Sequence, residues 1–292
     1  MNPPDDRQSA SEPSGSPRER VMGFWDHLDE LRGTIIKSAS VFIFFAALIG
    51  FYLTQFYHVL MWPLHRVAAE YPRLVIELGT TTPMEGMNVI IEMCMLGGLM
   101  LSAPFILFFA GQFVAPALTQ KEMKAVLPMC TASFLLFLSG AAFGFFVLTP
   151  SALRVTIEIN QGFGWAFRWT VGSYYTILTR LVLGVGGVFQ FPLLVVLLVW
   201  LGFLSTPFLR KYRRHAVVLF FVVSAIVTPS TEPLSQTFLA LPLCILYELA
   251  IVVSARVEKR RERSGAVVLL ALLSLLPARR PRLDHVGLGR HA

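Results

Sequence analysis

The 292 residues are 55% hydrophobic with a mean hydropathy of +0.63, and the apolar residues fall in long blocks. That excludes a soluble globular domain of this size and defines a polytopic α-helical membrane protein; the apolar/polar alternation of an outer-membrane barrel is absent. A formal charge of +7 and a pI near 9.6 fit the basic cytoplasmic loops of such a protein, and nucleic acid is not expected as a partner.

Residues 1–21 are polar, rich in Ser, Pro and charge, and read as a disordered cytoplasmic N-terminus with no cleavable signal peptide. Next comes Phe24-Trp25-Asp26-His27-Leu28-Asp29-Glu30-Leu31-Arg32, an acidic patch directly before the first apolar segment. The flanking termini are basic, so the patch suits a cationic peptide ligand. Six spans follow within residues 22–255: about Thr34–Tyr57, Met84–Gly111, Lys124–Thr149, Thr170–Leu201, Ala216–Thr228 and Leu234–Ala255. A helix needs roughly 20 apolar residues to cross the hydrocarbon core. The fifth is shorter, with Pro229 and Pro233 bounding the turn to the sixth. Either the bilayer thins there or the hairpin does not cross it fully. Residues 256–292 form a basic cytoplasmic tail. Its apolar piece Val267–Leu276 is too short to span; it lies on the membrane surface, helps oligomers pack, or is disordered.

Orientation comes from the basic residues. Twenty Lys or Arg fall on the side of the two termini and only Arg66, Arg73, Arg154 and Arg168 on the other, while Arg180 sits inside span four. The positive-inside rule places both termini in the cytoplasm.

Several blocks, in order and spacing, are similar to the TatC family, the signal-peptide receptor of twin-arginine protein translocation. They are the opening His27-Leu28-Asp29-Glu30-Leu31-Arg32, Ser102-Ala103-Pro104, Phe113-Val114-Ala115-Pro116-Ala117-Leu118 leading to Lys121-Glu122, Phe189-Gln190-Phe191-Pro192, and Thr228-Pro229 with Ser235-Gln236. The resemblance covers about residues 22–260. It implies an all-α membrane protein of six transmembrane helices in a concave, glove-like bundle in the bacterial inner membrane. Its partners would be twin-arginine signal peptides, single-span TatA- and TatB-type proteins, further copies of the chain in the complex, and membrane lipid. Folded cargo would cross using the proton-motive force, with no cofactor or metal.

Under that resemblance Glu30 and Glu122 are the two carboxylates that take the signal peptide's arginines. Carboxylates pair with Arg bidentately, which favours Arg over Lys. For Glu30 the competing reading is an acid in the first helical turn opposing the dipole; for Glu122, a weak surface ion pair. Asp29 adds negative potential or is merely solvated. Phe113 packs against the peptide's apolar part or belongs to the core. Thr119 stands where the family has tyrosine. Gln190 precedes Pro192 in span four, where the family commonly has Glu. A polar group in hydrocarbon is costly unless paired or wetted, so it faces the concave cavity or makes an interhelical hydrogen bond. Gln cannot titrate, which argues against Gln190 itself carrying a proton. Pro63 shapes the outer loop, and Glu232 matches an outer acidic position. Glu92 is an intramembrane acid without an assigned partner, Arg180 is a candidate ion-pair partner for an intramembrane acid, and Glu248 is expected to pack or snorkel.

An ion-coupled small-solute transporter is the alternative class, since buried polar residues suit it. The chain has no evident repeat. It also lacks the HExxH and GxSxG motifs and a phosphate-cradling loop, and none of its six His lies deep in a span, all of which argues against an enzyme or redox protein. Cys94, Cys130 and Cys244 are widely separated in apolar blocks and read as small hydrophobes.

Overall fold

The computed structural model describes residues 24–72, 78–114, 126–165, 168–228 and 233–275. The chain is almost wholly helical, with one two-residue parallel strand pair, β1 (Leu78–Gly79) beside β2 (Trp169–Thr170).

Helix α1 (Phe24–Phe51) begins ten residues before the apolar run and stops at Tyr52, which leaves the helical region at φ −105, ψ 28. The first expected span, ending at Tyr57, is therefore divided. Its end turns into α2 (Leu53–Leu60) and then α3 (Trp62–Glu70), which caps the outer end of the bundle. Helix α4 (Glu85–Val114) packs back along α1. In lipid this pairing cannot rely on the hydrophobic effect, so small residues must bring the backbones together. Gly98 does so: a Cβ there would lie 2.8 Å from the Ala46 Cβ.

The third span continues past its expected end. Helix α5 (Val126–Phe143) runs through a π-helical turn (Gly144–Leu148) into α6 (Thr149–Phe163). Pro150 lacks an N–H, and its ring would collide with the carbonyl four residues back in a regular helix. The wide turn just ahead of it absorbs the misfit, and the Thr149 hydroxyl donates to the Gly144 carbonyl at 2.8 Å.

The fourth span is α7 (Val171–Val188) followed by α8 (Phe191–Trp200), broken at Phe189-Gln190. Pro192 occupies the first turn of α8, where its missing N–H costs nothing. After α9 (Thr206–Lys211) come α10 (Arg213–Val227) and α11 (Pro233–Leu275). Helix α10 has 15 residues, shorter than the roughly 20 that cross the core, so the fifth span is short as its sequence indicated. Five stretches are long and apolar enough to cross a membrane by themselves: 27–51, 85–114, 126–163, 171–200 and 236–259. Helix α11 runs on to Leu275, twenty residues beyond the expected span end at Ala255. Lys, Arg and Glu at 256–263 are good helix formers, so hydropathy falls there while the helix persists.

Two cores hold the bundle. The outer one joins Leu60, Leu64 and Val67 of the cap to Met93, Leu96, Ile157, Tyr174 and Leu178. The inner one joins Val185, Phe189, Val195 and Val199 to Leu209, Phe220, Leu243 and Tyr247. Outside them, large apolar side chains such as Ile43, Phe44, Leu135 and Ile245 face outward, as a lipid-facing surface requires.

Candidate functional site

At the end of the bundle where α1 begins, α1 and the end of α4 meet. Glu30 lies in the second turn of α1, so it is not a first-turn acid opposing the helix dipole. His27, one turn earlier on the same face, stacks on Phe113 with ring centroids 4.4 Å apart and planes 18° from parallel. Its Nδ1 lies 3.9 Å from Glu30 Oε2, an ion pair only while the imidazole is protonated. That same Oε2 is inaccessible to solvent and accepts no hydrogen bond from a described residue. A buried carboxylate oxygen without a donor is costly and unusual. Asp29 points to solvent, and Phe113 is half-buried. Structure thus brings Glu30, His27 and Phe113 together. The sequence motif contained His27, but its ring contact depends on where α4 ends. Glu122 lies outside the described residues, as do Lys121 and Thr119.

Further in, Gln190 sits at the α7–α8 break. Its Oε1 accepts from the Ser133 hydroxyl at 2.6 Å, and its Nε2 donates to the Ser133 carbonyl at 2.9 Å. These are interhelical bonds from span four to span three, and they satisfy both ends of the amide. Gln190 and Ser133 also line an apolar cavity of about 220 Å³ between the end of α4, the start of α5 and α8, with Leu107, Val114, Met129 and Trp200. Of the two readings of this residue, the interhelical hydrogen bond is the one present. Pro192 is buried directly beside it.

On the outer side Pro63 is buried in the first turn of α3. Two contacts there escaped the sequence reading. Arg154 grips Glu70 bidentately at 2.6 and 2.7 Å, tying the cap to α6. The Arg154 hydrogen bond holds the Glu70 carboxyl below its ordinary value of 4.5. Glu85 accepts from the Thr81 amide at 2.6 Å, the Thr81 hydroxyl at 2.9 Å and the Gly172 amide at 2.9 Å, joining the outer ends of α4 and α7. An acid in the first turn after Pro83 was the available signal for Glu85; its bond to Gly172, 87 residues away, was not readable. Glu232 lies outside the described residues.

The remaining intramembrane charges acquire neighbours. The Thr176 hydroxyl donates to Glu92 at 3.1 Å, and Glu248 pairs with Arg213 at 2.9 Å. Tyr247 donates to the Leu209 carbonyl at 3.0 Å, fastening α9 to α11. Arg180 is exposed on α7 with no partner among the described residues. Among the described residues no group of three or more His, Cys, Asp or Glu is placed to hold a metal ion.

Five helical stretches long and apolar enough to cross a membrane, the fourth divided at a hydrogen-bonded polar residue, define a multi-pass helical membrane protein. Residues 26–242 match the family model for TatC, the Sec-independent protein translocase protein. The chain belongs to the TatC family, and is a subunit of a Sec-independent, twin-arginine translocase. It is 32% identical over 245 residues to the Sec-independent protein translocase protein TatC of Koribacter versatilis, covering 83% of this chain and 88% of that one. Against the protein of the same name from Aquifex aeolicus it is 28% identical, over 82% of this chain and 98% of that one. A crystal structure of the twin-arginine translocase receptor TatC superposes with a TM-score of 0.67 and 28% identity, over 79% of this chain and 99% of that chain. The fold is accordingly the six-helix membrane bundle of that family.

Proposed function

We propose that this chain is the signal-peptide receptor and core of its translocase, and that Glu30 is the group that takes an arginine of the peptide. The observation that carries this is the Glu30 Oε2, buried near the start of α1 with no hydrogen-bond donor among the described residues. A guanidinium would supply the missing donors, and a bidentate fork does so better than a lysine ammonium. Glu122 takes the second arginine and Asp29 adds negative potential. The peptide's apolar part runs past Phe113 toward the cavity bounded by Gln190 and shaped by the Pro192 turn, with Pro63 and Glu232 serving the outer loops. Both termini lie in the cytoplasm, in the bacterial inner membrane, as the distribution of Lys and Arg requires. TatA- and TatB-type single-span partners and further copies of this chain complete the pathway, driven by the proton-motive force. The chain itself holds no phosphate-cradling loop to supply energy.

The test is crosslinking of the membrane-embedded protein to a signal peptide carrying Arg-Arg beside the same peptide carrying Lys-Lys. Selective capture of the first, lost on Glu30→Gln combined with Glu122→Gln, supports the reading. Equal capture of both reduces it to charge attraction, and no capture overturns the receptor reading.

A further inference from the structure

A second cavity, of about 500 Å³, opens between the α8–α9 loop at 202–205 and the end of α11, with Val199, Val257 and Glu258 on its walls. The apolar stretches on either side of it end at Trp200 and Lys259. The cavity therefore lies at the depth where hydrocarbon gives way to lipid headgroups.

Its walls are fixed by local geometry. Gly202 turns the chain at φ 85, in the left-handed region that favours glycine. That turn lets the Phe203 and Leu204 amides both donate to the Leu198 carbonyl, at 2.9 and 3.2 Å, which closes the end of α8. Across the cavity the Thr206 amide donates to Glu258 Oε2 at 3.2 Å and ties α9 to α11. A carboxylate has about four acceptor sites, and this bond uses one. Beside it, Thr206 buries a hydroxyl that has no partner among the described residues. A buried hydroxyl without a partner calls for one.

The chemistry of these groups selects the ligand. One carboxylate is too few ligands for a metal ion, and it repels an anion. A quaternary ammonium has no N–H to give Glu258, and Phe203 is a single ring rather than an aromatic cage. A primary ammonium brings three donors. A free amine would be repelled by the exposed cations Arg210, Lys211, Arg256 and Lys259 on the same two helices. A phosphate attached to that amine would be drawn to them. The matching ligand is a zwitterion of phosphate and primary ammonium, and at headgroup depth that is an aminophospholipid. We propose that the cavity binds one such lipid, with its ammonium on Glu258, its phosphate toward the α9 and α11 cations, and its chains leaving past Val199, Leu204 and Val257. The site is separate from Glu30 and stands whether or not the chain is a signal-peptide receptor.

Native mass spectrometry of the full chain tests it. The protein is released from nanodiscs of equal parts phosphatidylethanolamine, phosphatidylcholine and phosphatidylglycerol with matched acyl chains. Phosphatidylcholine differs only by methyl groups in place of the ammonium protons. The expected result is one retained phosphatidylethanolamine, favoured about tenfold or more over either other lipid, the worth of a charge-assisted hydrogen bond. That preference is lost in Glu258→Gln, whose amide oxygen can still accept from the Thr206 amide. If this variant does not accumulate, Val257→Phe, which narrows the cavity and leaves the carboxylate, is read instead. A photoreactive residue replacing Phe203 in cell membranes is expected to capture phosphatidylethanolamine above its share of the bilayer. No retained lipid, equal retention of the three, or a preference indifferent to both variants overturns the proposal. So does capture of a protein at position 203, which would make the occupant a partner's basic side chain. Competition by water-soluble glycerophosphoethanolamine as strong as that by the lipid also overturns it, since the ligand would then be a free amine.

Discussion

At the residue scale, Glu30 and Gln190 are opposite solutions to the same problem. Each is a half-buried polar side chain. Gln190 is satisfied by Ser133 from both ends of its amide, whereas Glu30 keeps an oxygen buried and empty. A satisfied group is structural in energetic terms, and an unsatisfied one is available to a ligand. Glu30→Gln is therefore expected to weaken binding of an Arg-Arg signal peptide by about 10- to 100-fold, the value of a charge-assisted hydrogen bond, with little change in thermal stability. A titration of labelled peptide against the purified protein reads this directly. Gln190→Leu is expected to lower stability by about 0.6–2 kcal/mol. Combined with Ser133→Ala it should be clearly non-additive, because the two residues hold one another; a double-mutant cycle followed by thermal unfolding measures it. The sequence identified both positions, since each sits in a motif, but not their partners. Ser133 is 57 residues from Gln190, and only packing of α5 on the α7–α8 break brings it near.

Between elements, close approach and capping decide the architecture. Gly144 lies where a Cβ would come within 2.7 Å of the Leu181 carbonyl oxygen, backbone that cannot swing aside. Gly144→Ala should force α7 off the π-helical turn and cost about 1–3 kcal/mol, seen as a lowered unfolding temperature in detergent. The outer cap hangs partly on Arg154 and Glu70. Because the Glu70 carboxyl is depressed below 4.5, the pair contributes its stability above that pH and loses it as the pH falls through the depressed value. The difference in unfolding temperature between the wild type and Glu70→Gln should hold steady from about pH 7 to about pH 5 and vanish in stronger acid. Element ends were the least legible feature. Hydropathy marks where lipid ends, while α1 and α11 continue as helix through charged sequence, and the third span runs on past its expected end at Thr149 through a π-helical turn into α6.

Across the whole molecule, orientation is a matter of charge distribution, twenty basic residues against four. Single cysteines at Ser9→Cys and Ser264→Cys, in a background lacking the three native Cys, are expected to react with a membrane-impermeant reagent only after the cytoplasmic face is opened; labelling from outside would reverse the topology. Composition, the number of spans, the short fifth helix and the motif-bearing residues were set by the sequence alone, because each is a local property: apolar length, charge or turn chemistry within a few residues. Which side chains meet was decided only by tertiary structure. His27 on Phe113, Gln190 on Ser133 and Glu85 on Gly172 each depend on two helices distant in the chain, and in lipid those helices are registered by small-residue packing and interhelical hydrogen bonds rather than by a hydropathy pattern.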